Sequence, residues 1–421
     1  MDKICVSGGK PLIGTVTIGG MKNAALPILF ATILTGDVCE LENLPDVKDI
    51  YTAIEIIKAM GARVEQLGTG HLRIDTADVR CGSAPLDLSK TIRGSYYVLG
   101  AELGRFGRSS TGLPGGCNFG ERPIDQHIKG FEALGATVIV GNGAISCYAD
   151  KPLEGTTVYL DVASVGATVN IMLAATTANG VTYIDNAARE PHIVDLANFL
   201  NSCGANISGA GTELIKITGV EKLHGSCYAI IPDMIEAGTY MIAAAATKST
   251  LTIANVIPRH LEAVSRKLIE MGVEVEERDD SVVVSYCGEL KKARVKTDFY
   301  PGFPTDMNPQ FCVLLCLAEG TSVLTESVMD HRFKYTDELI RMGARISITG
   351  RNATIEGISS FNPATVRAVD LRAGAAMVIA ALATPGTTII DDIHHISRGY
   401  EDMVGKLRAV GADVRIISDS I

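Results

Sequence analysis

The sequence has no apolar run of the ~18 residues that a membrane-spanning helix needs, no excess of positive charge and no CxxC pair of cysteines. Lys and Arg total 38 against 48 Asp and Glu, so the formal net charge is −10. This balance, without a basic tract, argues against nucleic acid and anionic membranes as main partners. The ten cysteines are scattered, which is typical of reduced thiols in a cytoplasmic protein rather than of a zinc site. The opening MDKICVSGGK is too polar for a signal peptide.

An internal repeat organises the chain. Six helix-like stretches each end in a glycine followed by a β-branched strand, as in IKAMGARV and FEALGATV. A helix ends well on a glycine because this residue tolerates positive φ. The six glycines lie 68 to 74 residues apart, at Gly61, Gly135, Gly204, Gly272, Gly343 and Gly411.

A second helix, rich in alanine and apolar nearly all round, occurs once in each repeat and should be buried. Each unit therefore reads helix, strand, helix, strand, strand, which predicts an α/β protein. Six units exceed one core, so we expect two domains of three units, 21–230 and 1–20 plus 231–421. The segment ICVSGGKPLIGTVTI (4–18) is expected to be a strand that completes the second domain. A plain solenoid is the alternative.

A cation precedes the amphipathic helix in every unit, 11 to 15 residues before the repeat glycine. Because a helix N-terminus is itself partly positive, six such placements suggest faces that bind an anion. Two opposed faces of this kind would form a cleft for a polyanion. The residues are Lys48, Arg122, Arg189, Arg259, Arg332 and Arg398.

Three segments contain candidates for chemistry. Cys117 lies in a loop rich in Gly and Pro, at about 112–123, where the following Arg122 would stabilise a thiolate. It is a candidate general acid, or else a buried inert thiol. Lys22 and Asn23 begin an Ala-rich helix and suit an anion site, or merely a helix start. Asp306, between two prolines, suits a fixed base or a helix N-cap.

Together these segments resemble the enolpyruvyl transferases, and among them the enzymes that act on UDP-N-acetylglucosamine. The resemblance implies two domains of βαβαββ units, an inside-out α/β barrel shared with 5-enolpyruvylshikimate-3-phosphate synthase. It covers nearly the whole chain, through KNAALP (22–27), LPGGC with GERPID (113–125), SVGATVNIM (164–172), NAAREPHIVDLANFLNSCGANISGAG (186–211), FPTDM (303–307), VDLRAGAAMV (369–378) and RGYE (398–401).

The resemblance also implies residue roles. Cys117 would be the lid thiol that protonates phosphoenolpyruvate and reacts with fosfomycin, and Asp306 would lie beside the sugar 3-hydroxyl. Phosphoenolpyruvate would be held by Lys22, Asn23, Arg122, Arg332 and Arg398. The nucleotide sugar would be held by Arg93, Arg122, Pro123, Ile124, Asp125, Gln126, Val162, Ala163, Ser164, Val165, Asp306 and Val328.

The reaction implied is transfer of the enolpyruvyl group of phosphoenolpyruvate to the 3-hydroxyl of UDP-N-acetylglucosamine, the first committed step of peptidoglycan synthesis. It proceeds by addition and elimination and requires neither a metal nor a cofactor. The alternatives are a transferase acting on shikimate 3-phosphate and a non-catalytic nucleotide-sugar sensor. The chain departs from the family pattern at Gln126, Val169 and Met234.

Overall fold

Two kinds of helix alternate along the chain, as the repeat predicts, apart from one additional helix of four residues. The computed structural model describes residues 2–113 and 124–418. Its α-helices are α1 Lys22–Thr35, α2 Lys48–Ala59, α3 Leu86–Ser89, α4 Tyr97–Phe106, α5 Asp125–Ala133, α6 Val165–Ala175, α7 Pro191–Ser202, α8 Met234–Ala246, α9 Glu262–Glu270, α10 Asn308–Cys316, α11 Thr336–Arg341, α12 Leu371–Leu382 and α13 Met403–Ala409.

The Ala-rich helices are buried, as expected. In α1 every residue from Ala24 to Thr35 is buried, and α8, α10 and α12 are buried along their whole length. Helices α4 and α6 belong to the same class, since most of their residues are also covered. Small alanines around the helix let neighbouring elements approach from every side, so these helices form the cores.

The amphipathic helices are α2, α5, α7, α9, α11 and α13. Each is followed by its repeat glycine, and all six glycines have φ between 90° and 110°. A residue with a Cβ is strained in this left-handed region, so the glycine ends the helix and turns the chain into the next strand. The predicted role of the repeat glycines is confirmed.

Short strands complete each repeat. They are β1 Asp2–Gly8, β2 Ile13–Thr17, β3 Val38–Glu42, β4 Arg63–Gly68, β5 His71–Asp75, β6 Arg108–Gly112, β7 Thr137–Gly141, β8 Ala144–Tyr148, β9 Thr157–Tyr159, β10 Val181–Asp185, β11 Asn206–Ser208, β12 Leu214–Thr218, β13 Cys227–Ala229, β14 Thr250–Ala254, β15 Glu274–Glu277, β16 Ser281–Ser285, β17 Arg294–Lys296, β18 Thr321–Thr325, β19 Arg345–Thr349, β20 Asn352–Glu356, β21 Thr365–Arg367, β22 Gly386–Asp391 and β23 Asp413–Ser418.

The strands form six small sheets. Five sheets have four strands, one of which is a parallel edge strand beside three antiparallel ones. The sixth, β6-β8-β7, has three strands among the described residues.

Beside β6 the Cys81 thiol contacts the Arg108 carbonyl oxygen at 3.1 Å. The buried Glu102 carboxylate accepts hydrogen bonds there from the Gly82 N–H at 2.8 Å and the Ser109 hydroxyl at 2.7 Å.

The chain divides into two units, one formed by Gly20–Ile231 and the other by the residues up to Gly19 together with those from Pro232 onward. In the first unit, the last strand, β13, pairs parallel with the first, β3. In the second, β1 lies between β22 and β23, and β2 pairs parallel with β14. In both units, therefore, strands that are far apart in the sequence pair with each other.

The N-terminal segment differs from expectation in one respect. Residues 4–18 form parts of two strands in two sheets, rather than one continuous strand. Gly9 has φ 84° and is followed closely by Pro11, so the extended chain is interrupted between β1 and β2. Among residues 2–113 and 124–418, no helix is long and apolar enough to cross a membrane.

Candidate functional site

Lys22 and Asn23 begin helix α1 in the Gly20–Ile231 unit. The N-cap residue, Met21, makes no side-chain capping hydrogen bond. The start of α1 is therefore not a helix N-terminus capped by a side chain. The Lys22 ammonium lies 3.0 Å from the Asp49 carboxylate, and both side chains are largely buried, with 12% and 6% exposed. A cation held against a helix N-terminus in this way can contribute to an anion site.

Arg93 lies in a 3-10 helix, Arg93–Tyr96, with its guanidinium carbon 5.7 Å from the Tyr96 ring centroid. The His127 ring also lies beside the Tyr96 ring, with the two ring centroids 5.6 Å apart. Burial, with a smaller contribution from the positive charge of Arg93, lowers the pKa of His127 to about 4. His127 is therefore neutral near pH 7, and its Nδ1 pairs with the Asn170 side-chain nitrogen at 2.9 Å. The sequence interpretation missed this histidine.

Two segments expected to contact a nucleotide sugar lie in the same unit. Ile124 is the N-cap of α5, which begins with Asp125 and Gln126. The second segment, 162–165, leads into α6, where Ser164 is the N-cap and its hydroxyl accepts from the Ala167 N–H at 3.3 Å. Val162 is 54% exposed. The structure brings the two segments together through side chains of Gln126 and Asp161.

Asp306 is held between two arginines in the other unit. One carboxylate oxygen lies 3.4 Å from Arg332 Nη2, and the second lies 3.1 Å from both Nε and Nη2 of Arg372. The two arginine side chains are buried, with 3% and 4% exposed, whereas Asp306 is 32% exposed. The N-cap of α10 is Met307, so the alternative role of Asp306 as that helix cap is wrong. Its position suits a carboxylate that meets a ligand at one side.

Arg372 is a second residue that the sequence interpretation missed. Asp370 caps α12 by accepting hydrogen bonds from the Arg372 and Ala373 N–H groups at 2.8 and 2.9 Å. This cap fixes where the helix begins and so places Arg372 in its first turn. The guanidinium carbon lies 5.3 Å from the Tyr400 ring centroid, and the Tyr400 hydroxyl meets the Thr239 hydroxyl at 2.9 Å. The signal available in the sequence was an arginine at the second position of a helix that is otherwise apolar.

Val328 and Arg398 also lie in this unit. The Val328 N–H donates to the Glu326 carboxylate at 2.9 Å, and Glu326 is almost completely buried. Arg398 ends the 3-10 helix Ile393–Arg398 and is half-buried. Met234 begins α8 and is buried, with 8% exposed, and Val169 is fully buried in α6.

The equivalent cations of the repeats do not have equivalent surroundings. Arg332 is buried beside Asp306, while Arg189 pairs with the exposed Glu213 at 2.9 Å. Lys48 and Arg259 are exposed. Repeat register predicts that a cation precedes each amphipathic helix, but it did not predict which of these cations have a carboxylate partner.

Three of the expected site residues, Cys117, Arg122 and Pro123, lie outside the described residues. What the described part contains is a lysine at a helix start, a neutral histidine, and a carboxylate with two buried guanidiniums. Guanidinium and ammonium groups bind phosphate and carboxylate anions, and a partly exposed carboxylate can accept a proton.

A family model matches residues 6–407, and its description is EPSP synthase (3-phosphoshikimate 1-carboxyvinyltransferase). A relative from Caldanaerobacter subterraneus subsp. tengcongensis, named UDP-N-acetylglucosamine 1-carboxyvinyltransferase 3, is 54% identical over 414 residues, 98% of this chain and 99% of the relative. The UDP-N-acetylglucosamine 1-carboxyvinyltransferase of Clostridium botulinum is 51% identical over 415 residues, 98% of this chain and 99% of the relative.

Among solved structures, the enolpyruvyl transferase NikO from Streptomyces tendae is similar, with a TM-score of 0.90 and 27% identity. The match covers 100% of this chain and 99% of that one.

Proposed function

Because this chain belongs to the EPSP synthase family of enolpyruvyl transferases, we propose that it transfers the enolpyruvyl group of phosphoenolpyruvate to the 3-hydroxyl of UDP-N-acetylglucosamine. The family and fold expected from the sequence are confirmed. The acceptor is supported by the relatives' names, which all specify UDP-N-acetylglucosamine at about half identity over the full chain. This transfer is the first committed step of peptidoglycan synthesis.

The chemistry needs an acid, a base and cations. Protonation of phosphoenolpyruvate at C3 makes C2 electrophilic, and the sugar oxygen then adds to C2 as its proton passes to a base. The tetrahedral phospho-ketal next loses a proton from the new methyl group and expels phosphate, which restores the double bond. Atoms and charges balance without an oxidant or a metal.

We assign the base role to Asp306. Its carboxylate is partly exposed, and its two oxygens are oriented by Arg332 and Arg372. A base held by buried partners keeps its geometry while the hydroxyl approaches. This arrangement is the structural observation that best supports catalysis rather than binding alone, because a sensor has no need of an oriented proton acceptor.

The acid role falls to Cys117, which lies outside the described residues. Lys22, Asn23, Arg122, Arg332 and Arg398 contact phosphoenolpyruvate, whose phosphate and carboxylate need several cations. Arg93, the residues 122–126 and 162–165, and Val328 contact the nucleotide sugar. The reaction takes place in the cytoplasm, which suits ten scattered cysteines.

Phosphate release from phosphoenolpyruvate tests the proposal. Purified protein should release phosphate rapidly with UDP-N-acetylglucosamine and only at background rate with shikimate 3-phosphate. The reverse preference would assign the chain to shikimate chemistry. Tight binding of the nucleotide sugar without phosphate release would assign it to the sensor alternative.

A further inference from the structure

Gln126 joins two segments that lie far apart in sequence. It is the second residue of α5 and only 7% exposed. Its amide nitrogen donates to Asp161 Oδ2 at 3.1 Å and to Asp125 Oδ2 at 2.7 Å. Its amide oxygen accepts from the Asp161 backbone N–H at 2.9 Å. Both ends of the amide therefore meet Asp161.

Lys129 binds the other oxygen of the Asp161 carboxylate. Its ammonium donates to Asp161 Oδ1 at 2.8 Å and lies 5.6 Å from the Tyr159 ring centroid. The hydrogen bonds from Lys129 and then Gln126 lower the pKa of Asp161 below its usual range. Asp161 is therefore ionised at neutral pH and accepts from both side chains.

The contacts between Gln126 and Asp161 join the ends of two segments of the chain. Gln126 ends the segment 124–126, and Asp161 immediately precedes the segment 162–165. Both segments are assigned above to the nucleotide sugar. Because the two amide hydrogens and one oxygen lone pair of Gln126 are engaged within the protein, its side chain positions the segment, and the contact of residue 126 with the nucleotide sugar is left to its backbone.

We propose that Gln126, Asp161 and Lys129 form a clamp that fixes the spacing of these two segments, and so determines affinity for the acceptor, UDP-N-acetylglucosamine. The inference rests on the proposed function. Loops that are already ordered lose less conformational entropy when a ligand binds. The clamp should therefore act on binding of the nucleotide and leave the chemical step unchanged.

The test is Gln126→Glu, which keeps the size of the side chain but sets a carboxylate against Asp161. We expect the KM for UDP-N-acetylglucosamine to rise ~10-fold, with kcat and the KM for phosphoenolpyruvate within ~2-fold. Adding Asp161→Asn to this variant exchanges the two groups, with the carboxylate at position 126 and the amide at position 161. The amide–carboxylate pair is thereby restored, so most of the affinity should return.

A matched control uses another amide–carboxylate pair in the same unit. The Asn179 side chain donates to Glu154 at 3.1 Å on an exposed surface, so Asn179→Asp should create similar repulsion without changing either KM. If Gln126→Glu fails to fold, Lys129→Met can be tested instead. This variant removes only the hydrogen bond from Lys129 to Asp161 and should raise the KM for UDP-N-acetylglucosamine ~2- to 3-fold.

Phosphate release and calorimetric titration, both with UDP-N-acetylglucosamine, separate the two levels of inference. If the wild-type protein releases no phosphate, the proposed function fails and the clamp with it. If the wild type releases phosphate and Gln126→Glu binds UDP-N-acetylglucosamine as tightly as the wild type, only the clamp is overturned. An equal loss of kcat and of affinity for both substrates, without recovery in the double variant, would also overturn it.

Discussion

Replacing Asp306 by Asn tests the proposed base and has consequences that can be worked out from its partners. The change preserves shape but removes the charge that faces two guanidiniums. Arg332 and Arg372 are 3% and 4% exposed, and leaving buried charges without a counterion costs about 3–5 kcal/mol. Asp306 itself is 32% exposed, so solvent screens part of the loss and we expect about 1–2 kcal/mol.

The catalytic effect should be larger than the effect on stability. A positioned base contributes about 10²- to 10⁴-fold, so kcat should fall at least ~10²-fold in Asp306→Asn. The dissociation constant for UDP-N-acetylglucosamine, measured by calorimetry, should change by less than ~3-fold. Asp306→Glu keeps the charge and should retain more activity than the Asn variant, which makes it the matched control.

Steady-state phosphate release and urea unfolding, measured on the same preparations, separate the two effects. A kcat within ~3-fold of wild type in Asp306→Asn would refute the assignment of the base. A loss that follows the fraction of unfolded protein would reduce Asp306 to a structural counterion for its arginines.

Further predictions concern the buried Lys406–Glu236 pair, the Cys117 thiol and the neutral His127. Lys406 pairs with buried Glu236 at 2.7 Å, so Lys406→Met should cost ~2–3 kcal/mol in urea unfolding and Glu236→Gln less. Burial, opposed by Lys406, raises the pKa of Glu236 to about 7. Its stabilising contribution, relative to Glu236→Gln, should therefore decrease between about pH 4.5 and 7; a constant difference would contradict this. Fosfomycin should label Cys117 in mass spectrometry, and Cys117→Asp should remain active while Cys117→Ser loses activity. Because His127 is already neutral between pH 5 and 8, it should not titrate in this range. The pH profile of kcat between pH 5 and 8 should therefore have the same shape in the wild type and in His127→Asn.

The parts of the fold that depend on local chemistry were predictable from the sequence. The six repeat glycines were correctly interpreted because helix termination depends on a single residue and its φ. The Ala-rich helices were correctly expected to be buried because their composition leaves no polar face. Neither inference needs knowledge of distant residues.

The partners of the site residues were not predictable in this way. Asp306 and Arg372 are 66 residues apart, and no periodicity relates an arginine in an apolar helix to that carboxylate. The same applies to Lys22, for which an anion site was expected without the Asp49 carboxylate that lies against it. The sequence identified the charged groups, whereas long-range packing determined which of them meet.

Product analysis tests the central claim most directly. The protein should be incubated with phosphoenolpyruvate and UDP-N-acetylglucosamine in deuterated water, and the sugar nucleotide examined by mass spectrometry and NMR. Addition and elimination through a methyl intermediate predicts an enolpyruvyl ether at the 3-hydroxyl, with deuterium in its methylene group. Recovery of unmodified UDP-N-acetylglucosamine, or attachment at another hydroxyl, would contradict the account.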